Sequence, residues 1–313
     1  YRDAALVPDS NLCCVTSARR YLPDFVIPDE MLEMNYGCGA TVRPEDMREG
    51  QKVLYVGVGG GMEALELAYY TRRPGGVVAV DPVPEMREVA AKNFEIAAKV
   101  NPWFDPSFVE IVDGDALSLP CADNTFDFAA QNCLFNIFKT GGDLEKAMSE
   151  IFRVLRVGGR LSMSDPITTA PIPQRLIDDD KLRADCISGS LTFDDYIKQV
   201  TDAGFGMVEI RQRRPYRVID AASYKIDSDI LLESIDIVAI KSPIPPDGPC
   251  IFTGKTAIYT GEEEYFDDGK GHVLMRGMPQ SVCDKTAKNL EDLKHKNLIF
   301  TGSTWHYAGD GCC

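Results

Sequence analysis

Between Val53 and Asp165, short apolar runs alternate with stretches of helical periodicity, and few folds accept that alternation. Val53 to Val56, Val77 to Asp81, Phe108 to Val112, Phe126 to Gln131 and Arg160 to Asp165 read as strands. Helices are expected between them, over Glu63 to Tyr70, Pro84 to Val100 and Asp143 to Leu155. Strands that alternate with helices form parallel pairs through crossover connections, so the pattern predicts an α/β fold with a mostly parallel sheet and helices on both faces. The cations and glycines of Arg156-Val157-Gly158-Gly159 read as the stop of the last helix.

After Asp165 the pattern changes. "PITTAPIPQ" is a proline-rich connection, and helices are expected over Arg175 to Ser188 and over Thr192 to Ala203, with Thr192 as cap. "AGFGMVEIRQRRPYRV" reads as a strand, and Leu231 to Ile240 as a helix or strand that completes the sheet. "KSPIPPDGP", 241–249, is the clearest linker. Three parts are expected: an N-terminal segment 1–43, a main domain 44–242, and a small α+β domain 243–313 with one helix near Asp284 to Lys294.

The chain has 313 residues, and its 48 acidic against 33 basic residues give a net charge of -15, which argues against nucleic acid or an anionic membrane surface as a partner. No apolar run reaches the length of a membrane span, and the start at Tyr1, which reads as a trimmed terminus, carries no signal pattern. The expectation is a cytoplasmic monomer. Ten cysteines in 313 residues are too sparse for a disulfide scaffold, and the lack of any C-x-x-C disfavours a structural zinc site.

Gly57-Val58-Gly59-Gly60-Gly61 follows a strand and opens a helix, which suits close approach of a ligand to the backbone. Met62 stands where a dinucleotide fingerprint needs glycine, and the Gly-Lys-Ser/Thr of a P-loop is absent. Asp81 ends the second strand, where a carboxylate can accept bonds from both hydroxyls of a ribose. Asp115 in "DGDALSLPCADNTFD" follows the third strand and can meet an adenine amino group, and "FRVLRVGGRLSMSD" supplies a helix, a glycine turn and a strand.

In this order and spacing the four segments resemble the class I S-adenosylmethionine-dependent methyltransferases, over roughly residues 50–242. The resemblance implies a Rossmann-like sheet, S-adenosylmethionine as cofactor, and Tyr55, Gly57, Gly59, Gly61, Asp81, Pro82, Asp115, Ala116 and Gln131 as the residues that hold it. Tyr55 departs from the family pattern, which places an acidic residue there.

"NYGCGATVRPED" before the first strand and "LRADCISGSLTFDDYIKQVTDAGF" after the fifth look like segments of the arsenite methyltransferases. The resemblance implies that Cys38 and Cys186 are thiolate ligands of trivalent arsenic and the catalytic residues. Arsenic(III) is soft and thiophilic, and its lone pair can attack a methyl carbon without a general base. Glycines on either side of Cys38 let its loop come close to the metalloid. Cys121 or Cys133 is a candidate third thiolate, and so is Cys13 or Cys14. A thiol reductant, glutathione or thioredoxin, is the implied co-substrate, and arsenic detoxification or organoarsenical synthesis the implied role. The Cys312-Cys313 end could pass arsenic or resolve a disulfide, or be an exposed terminus. Other cysteines read as packing, and His272, His295 and His306 as surface residues. Two rivals remain: a methyltransferase for a quinone or sterol, and a non-catalytic metalloid-binding protein.

Overall fold

The structure, a computed structural model, describes residues 22–138 and 141–305. A short helix α1 (Asp29–Glu33) leads into β1 (Val53–Val56), α2 (Met62–Thr71), β2 (Val77–Asp81), α3 (Pro84–Val100), β3 (Val109–Asp113), β4 (Phe126–Asn132), α4 (Gly141–Val154) and β5 (Leu155–Thr168). Then follow α5 (Gln174–Ile177), α6 (Asp180–Ala184), β6 (Leu191–Thr192), α7 (Phe193–Asp202), β7 (Met207–Ile219), α8 (Ala221–Tyr224), β8 (Ile230–Ile240) and β9 (Cys250–Phe252). They build one sheet in the order β3-β2-β1-β4-β5-β8-β7-β9, with β6 beside β5. From β3 to β5 the pairs are parallel, and β8 runs antiparallel to both β5 and β7. The chain moves outward from β1 to β3 and returns to β4, so its direction reverses between β1 and β4. A crevice at the carboxyl ends of these two strands is where such sheets bind ligands.

Every residue of β1 and β2 is buried, as expected for strands covered on both faces. Val53 and Tyr55 join Leu67, Phe94 and Phe128 in one core, while Leu54 and Val56 join Phe126, Met148 and Ile151 in the other. This two-residue alternation sends one strand's side chains into both layers. The fold class predicted from the sequence is the one observed, with α2 and α3 on one face and α4 and α7 on the other.

Two local expectations are corrected and one open alternative is settled. Arg156 to Gly159 do not stop a helix: α4 ends at Val154, and these residues lie in β5. Ladder bonds win there, since the Gly158 N–H donates to the Lys241 carbonyl and the Lys241 N–H to that of Gly159, while Gly158 takes φ +80° at an irregularity in the β4 pairing. The helix expected over Arg175 to Ser188 is broken into α5 and α6, because the Asp179 side chain accepts from the N–H groups of Lys181 and Leu182 and starts a new helix. Leu231 to Ile240 is strand throughout. Thr192 caps α7 as expected, accepting from the Asp195 N–H.

The 241–249 linker returns to the main sheet, where β9 pairs in parallel with β7. A small unit follows, built from β10 (Thr256–Tyr259), β11 (Tyr265–Asp267), β12 (Val273–Met275), β13 (Gln280–Ser281), α9 (Asp284–Asp292) and β14 (Leu298–Phe300). Ala257, Tyr259, Leu274, Val282, Ala287 and Leu290 form its core. Among the described residues no helix is long and apolar enough to cross a membrane. Cys13, Cys14, His306, Cys312 and Cys313 lie outside the described residues.

Candidate active site

A cleft of about 420 Å³ opens at the crevice, lined by Gly57 and Gly59, by Asp81 and Pro82 at the end of β2, and by Asp115 and Ala116 after β3. Gly57 and Gly59 have φ of +84° and +50°, and a Cβ on Gly59 would meet nothing within 4 Å. The turn therefore presents bare backbone to open space, the arrangement a ligand requires for close approach. Asp81 accepts the N–H groups of Val58 and Val83, both at 2.9 Å, and burial pushes its carboxyl above the ordinary aspartate value. Asp115 is braced by the Leu117 N–H at 2.9 Å.

Two of the glycine-turn and sheet residues expected here lie elsewhere. Gly61 caps α2 with φ +89° and abuts Phe94, where a Cβ would come within 2.9 Å of the ring. Gln131 is fully buried, donating its amide to Asp165 and accepting from the Leu134 N–H, so it shapes the loop after β4 without lining the cleft.

Tyr55 faces a smaller recess beside the glycine turn, lined also by Tyr36, Gly57, Gly59 and Asn132. Its hydroxyl donates to Glu63, which lines the same recess. Glu63 also accepts from Thr41 Oγ1 at 2.5 Å and Asn132 Nδ2 at 3.0 Å. Burial raises its carboxyl above the ordinary glutamate value despite these three donors. A carboxylate is thus present where Tyr55 lacks one, delivered from the first turn of α2. The sequence carried no periodic or motif signal for it.

The thiols come together from three distant segments. Cys38, Cys133 and Cys186 form one buried cluster, against which Ile137 packs, and Cys133 also lines the cleft. The Cys38 loop is held by Asn132 at the end of β4, whose Oδ1 accepts the Cys38 N–H at 2.9 Å and whose Nδ2 donates to the Gly39 carbonyl at 2.9 Å. Ser234 and Arg214 donate to the Cys38 carbonyl. The neighbouring glycines serve this contact: a Cβ on Gly37 would lie 2.5 Å from Asn132 Nδ2, and one on Gly39 would lie 2.0 Å from Asp236 Oδ1. Their bareness lets the loop meet the sheet.

Cys186 sits at φ +57° where α6 ends, and Cys133 at φ +58° where β4 ends. Cys186 Sγ lies 3.6 Å from the Cys133 carbonyl. Beside them is a buried network in which Asp165 accepts from Gln131 and, at 2.6 Å, from the Tyr196 hydroxyl. Burial, then the Asp165 charge, pushes the Tyr196 phenol well above its usual value, and the Cys38 and Cys133 thiols act in the same direction. Cys121 is not part of this cluster; it packs against the core of the α4 face. Among the described residues no three His, Cys, Asp or Glu side chains stand in a metal-binding arrangement.

A family model described as a methyltransferase domain matches residues 54–163, and one described as a domain of unknown function (DUF8838) matches 246–302. The chain is 32% identical over 182 residues to the arsenite methyltransferase of Halobacterium salinarum, covering 57% of this chain and 43% of that one. It is 27% identical to the arsenite methyltransferase of Aquipseudomonas alcaligenes over 97% of this chain and 89% of that one. In fold it matches the crystal structure of an arsenic(III) S-adenosylmethionine methyltransferase from Chlamydomonas reinhardtii, with a TM-score of 0.62 and 24% identity over 91% of this chain and 96% of that one. Residues 54–163 match a methyltransferase domain, and along nearly its whole length the chain is similar to arsenite methyltransferases.

Proposed function

We propose that this enzyme transfers methyl groups from S-adenosylmethionine to trivalent arsenic held by the thiolates of Cys38, Cys133 and Cys186. One observation carries the reading: three cysteines far apart in sequence pack together beside the cleft, and one of them lines it. A methyltransferase for a quinone or sterol has no use for such a cluster.

The cleft fits the cofactor. Its lining is mostly apolar, with bare glycine backbone at one side and carboxylates at Asp81 and Asp115. Asp81 would hold the ribose, Asp115 the adenine, and Glu63 with the glycine turn the amino-acid end. When bound, S-adenosylmethionine supplies a methyl group on a cationic sulfur, open to in-line attack by an electron pair.

The chain's own part is to hold the acceptor. As each thiol loads, a sulfur–arsenic bond forms, an arsenic–oxygen bond breaks, and the thiol proton leaves with the hydroxide as water. Ligated this way, arsenic keeps its lone pair, so no general base is required. Forming the carbon–arsenic bond uses that pair and oxidises the arsenic. Loss of two of its thiolates as a disulfide returns the electrons, which is why a thiol reductant such as glutathione or thioredoxin is needed for turnover. Removal of arsenic or synthesis of organoarsenicals would follow from this chemistry.

The test is transfer of labelled methyl from S-adenosylmethionine to arsenite and to methylarsenite with excess glutathione, in wild type, Cys38→Ser and Cys186→Ser. Loss of transfer in both variants with cofactor binding intact is expected. Transfer that survives both changes, or none in the wild type, would overturn the reading.

A further inference from the structure

We propose that Cys250 and Cys283 form a second thiol site, for trivalent arsenicals that carry one organic group and two exchangeable positions. The identity of the ligand as an arsenical rests on the function proposed above; the site itself rests on different residues.

Cys250 opens β9 and Cys283 caps α9, and both are buried in a small cluster with Phe252, against which Met207 packs. This pair is apart from the thiols at the cleft, which form their own cluster. Cys283 is more than filler. Its Sγ lies 3.1 Å from Thr286 Oγ1, Thr286 Oγ1 lies 3.3 Å from His272 Nε2, and His272 Nδ1 lies 2.7 Å from Asp268 Oδ2. A thiol, a hydroxyl, an imidazole and a carboxylate thus stand in one hydrogen-bonded line, a route by which Cys283 can lose its proton. His272 is therefore not the surface residue its sequence context suggests. Lys285, two residues after Cys283, ties down the linker, donating to Asp247 Oδ1 and to the Gly248 carbonyl at 2.6 Å each.

Two thiols can satisfy two exchangeable positions of trivalent arsenic. Two sulfur–arsenic bonds form, two arsenic–oxygen bonds break, and both thiol protons leave as water with the released hydroxides. No oxidant or reductant takes part. The product of one methyl transfer has this valence, so the site would hold an arsenical that the cleft has already methylated once.

The full chain, reduced and folded, would be treated with phenylarsine oxide, freed of excess reagent, digested, and analysed by tandem mass spectrometry. A phenylarsenic bridge between the Cys250 and Cys283 peptides is expected in the wild type. It should vanish in Cys250→Ala and in Cys283→Ala, and Thr286→Val should slow its formation several-fold at unchanged melting temperature. No such bridge in the wild type, or a bridge from Cys283 that persists without Cys250, would overturn the proposal. Methyl transfer to arsenite, measured on the same samples, separates the two ideas: transfer without the bridge counts against the second site alone, and the bridge without transfer overturns the proposed activity and with it the arsenical as this site's ligand, leaving only the thiol pair.

Discussion

The backbone N–H of Cys38 donates to the side-chain oxygen of Asn132 at 2.9 Å, joining residues 94 positions apart. The Asn132 amide also donates to Gly39 and to Glu63, so one side chain ties the thiol loop and the buried carboxylate to the end of β4. Asn132→Ala should leave these partners unsatisfied and cost about 1–3 kcal/mol in urea unfolding. Arsenical binding should fall more than cofactor binding in the same variant. Equal losses of both would mean that Asn132 supports the cleft generally and not the thiol loop.

Gly39→Ala places a methyl group 2.0 Å from Asp236 Oδ1 and 2.1 Å from Ser164 Oγ, two atoms that are themselves bonded at 2.7 Å. Neither can yield without breaking a buried hydrogen bond. A loss of roughly 1–3 kcal/mol is expected by denaturant titration. A variant as stable as wild type would show that the loop can lift away from the sheet at no cost.

Burial beside the recess holds the Glu63 carboxyl above its ordinary value. A cationic amino group bound there favours the ionised form, so binding releases protons at pH values near or below that raised value. The sign follows: cofactor affinity should fall as pH drops through the raised value and level off above it. Calorimetry in buffers of different ionisation enthalpy reads the proton release directly. Glu63→Gln should abolish it and weaken cofactor binding roughly tenfold, about 1.4 kcal/mol; an unchanged proton count would remove Glu63 from the cofactor site.

Cys133→Ser separates a two-thiol site from a three-thiol one. Arsenite has three exchangeable positions and methylarsenite two, so this variant should lose at least tenfold in transfer to arsenite while keeping most of its transfer to methylarsenite. Equal retention on both substrates would return Cys133 to packing.

Much of the fold was legible because its signals are local. The runs that formed β1, β2 and α3 have the boundaries read from the sequence, since apolar strands and the proline that opens α3 mark themselves. The stretch from Arg175 to Ser188 misled because Asp179 restarts the helix, a choice made by one side chain that periodicity does not register. At the site, Cys38, Cys133 and Cys186 lie together; the sequence contexts marked Cys38 and Cys186, and left Cys133 as one of several candidates for a third thiolate. Cys133 follows β4 in an ordinary loop, and its neighbours are set by the register of β4 against β5. Glu63 was invisible for the same reason: its partners Thr41 and Asn132 arrive from segments that only the folded sheet brings near.

The three cleft thiols reside on the N-terminal loop, the end of β4 and the turn after α6, and they meet only once the sheet has closed. A ligand that needs all three therefore recognises the finished fold and draws the folding equilibrium toward it by mass action. Before closure, the same ten thiols offer many competing pairs to the same element. A soft metalloid would then act in opposite senses at two moments in the protein's life: as a clasp on the mature enzyme, and as a trap for the nascent chain.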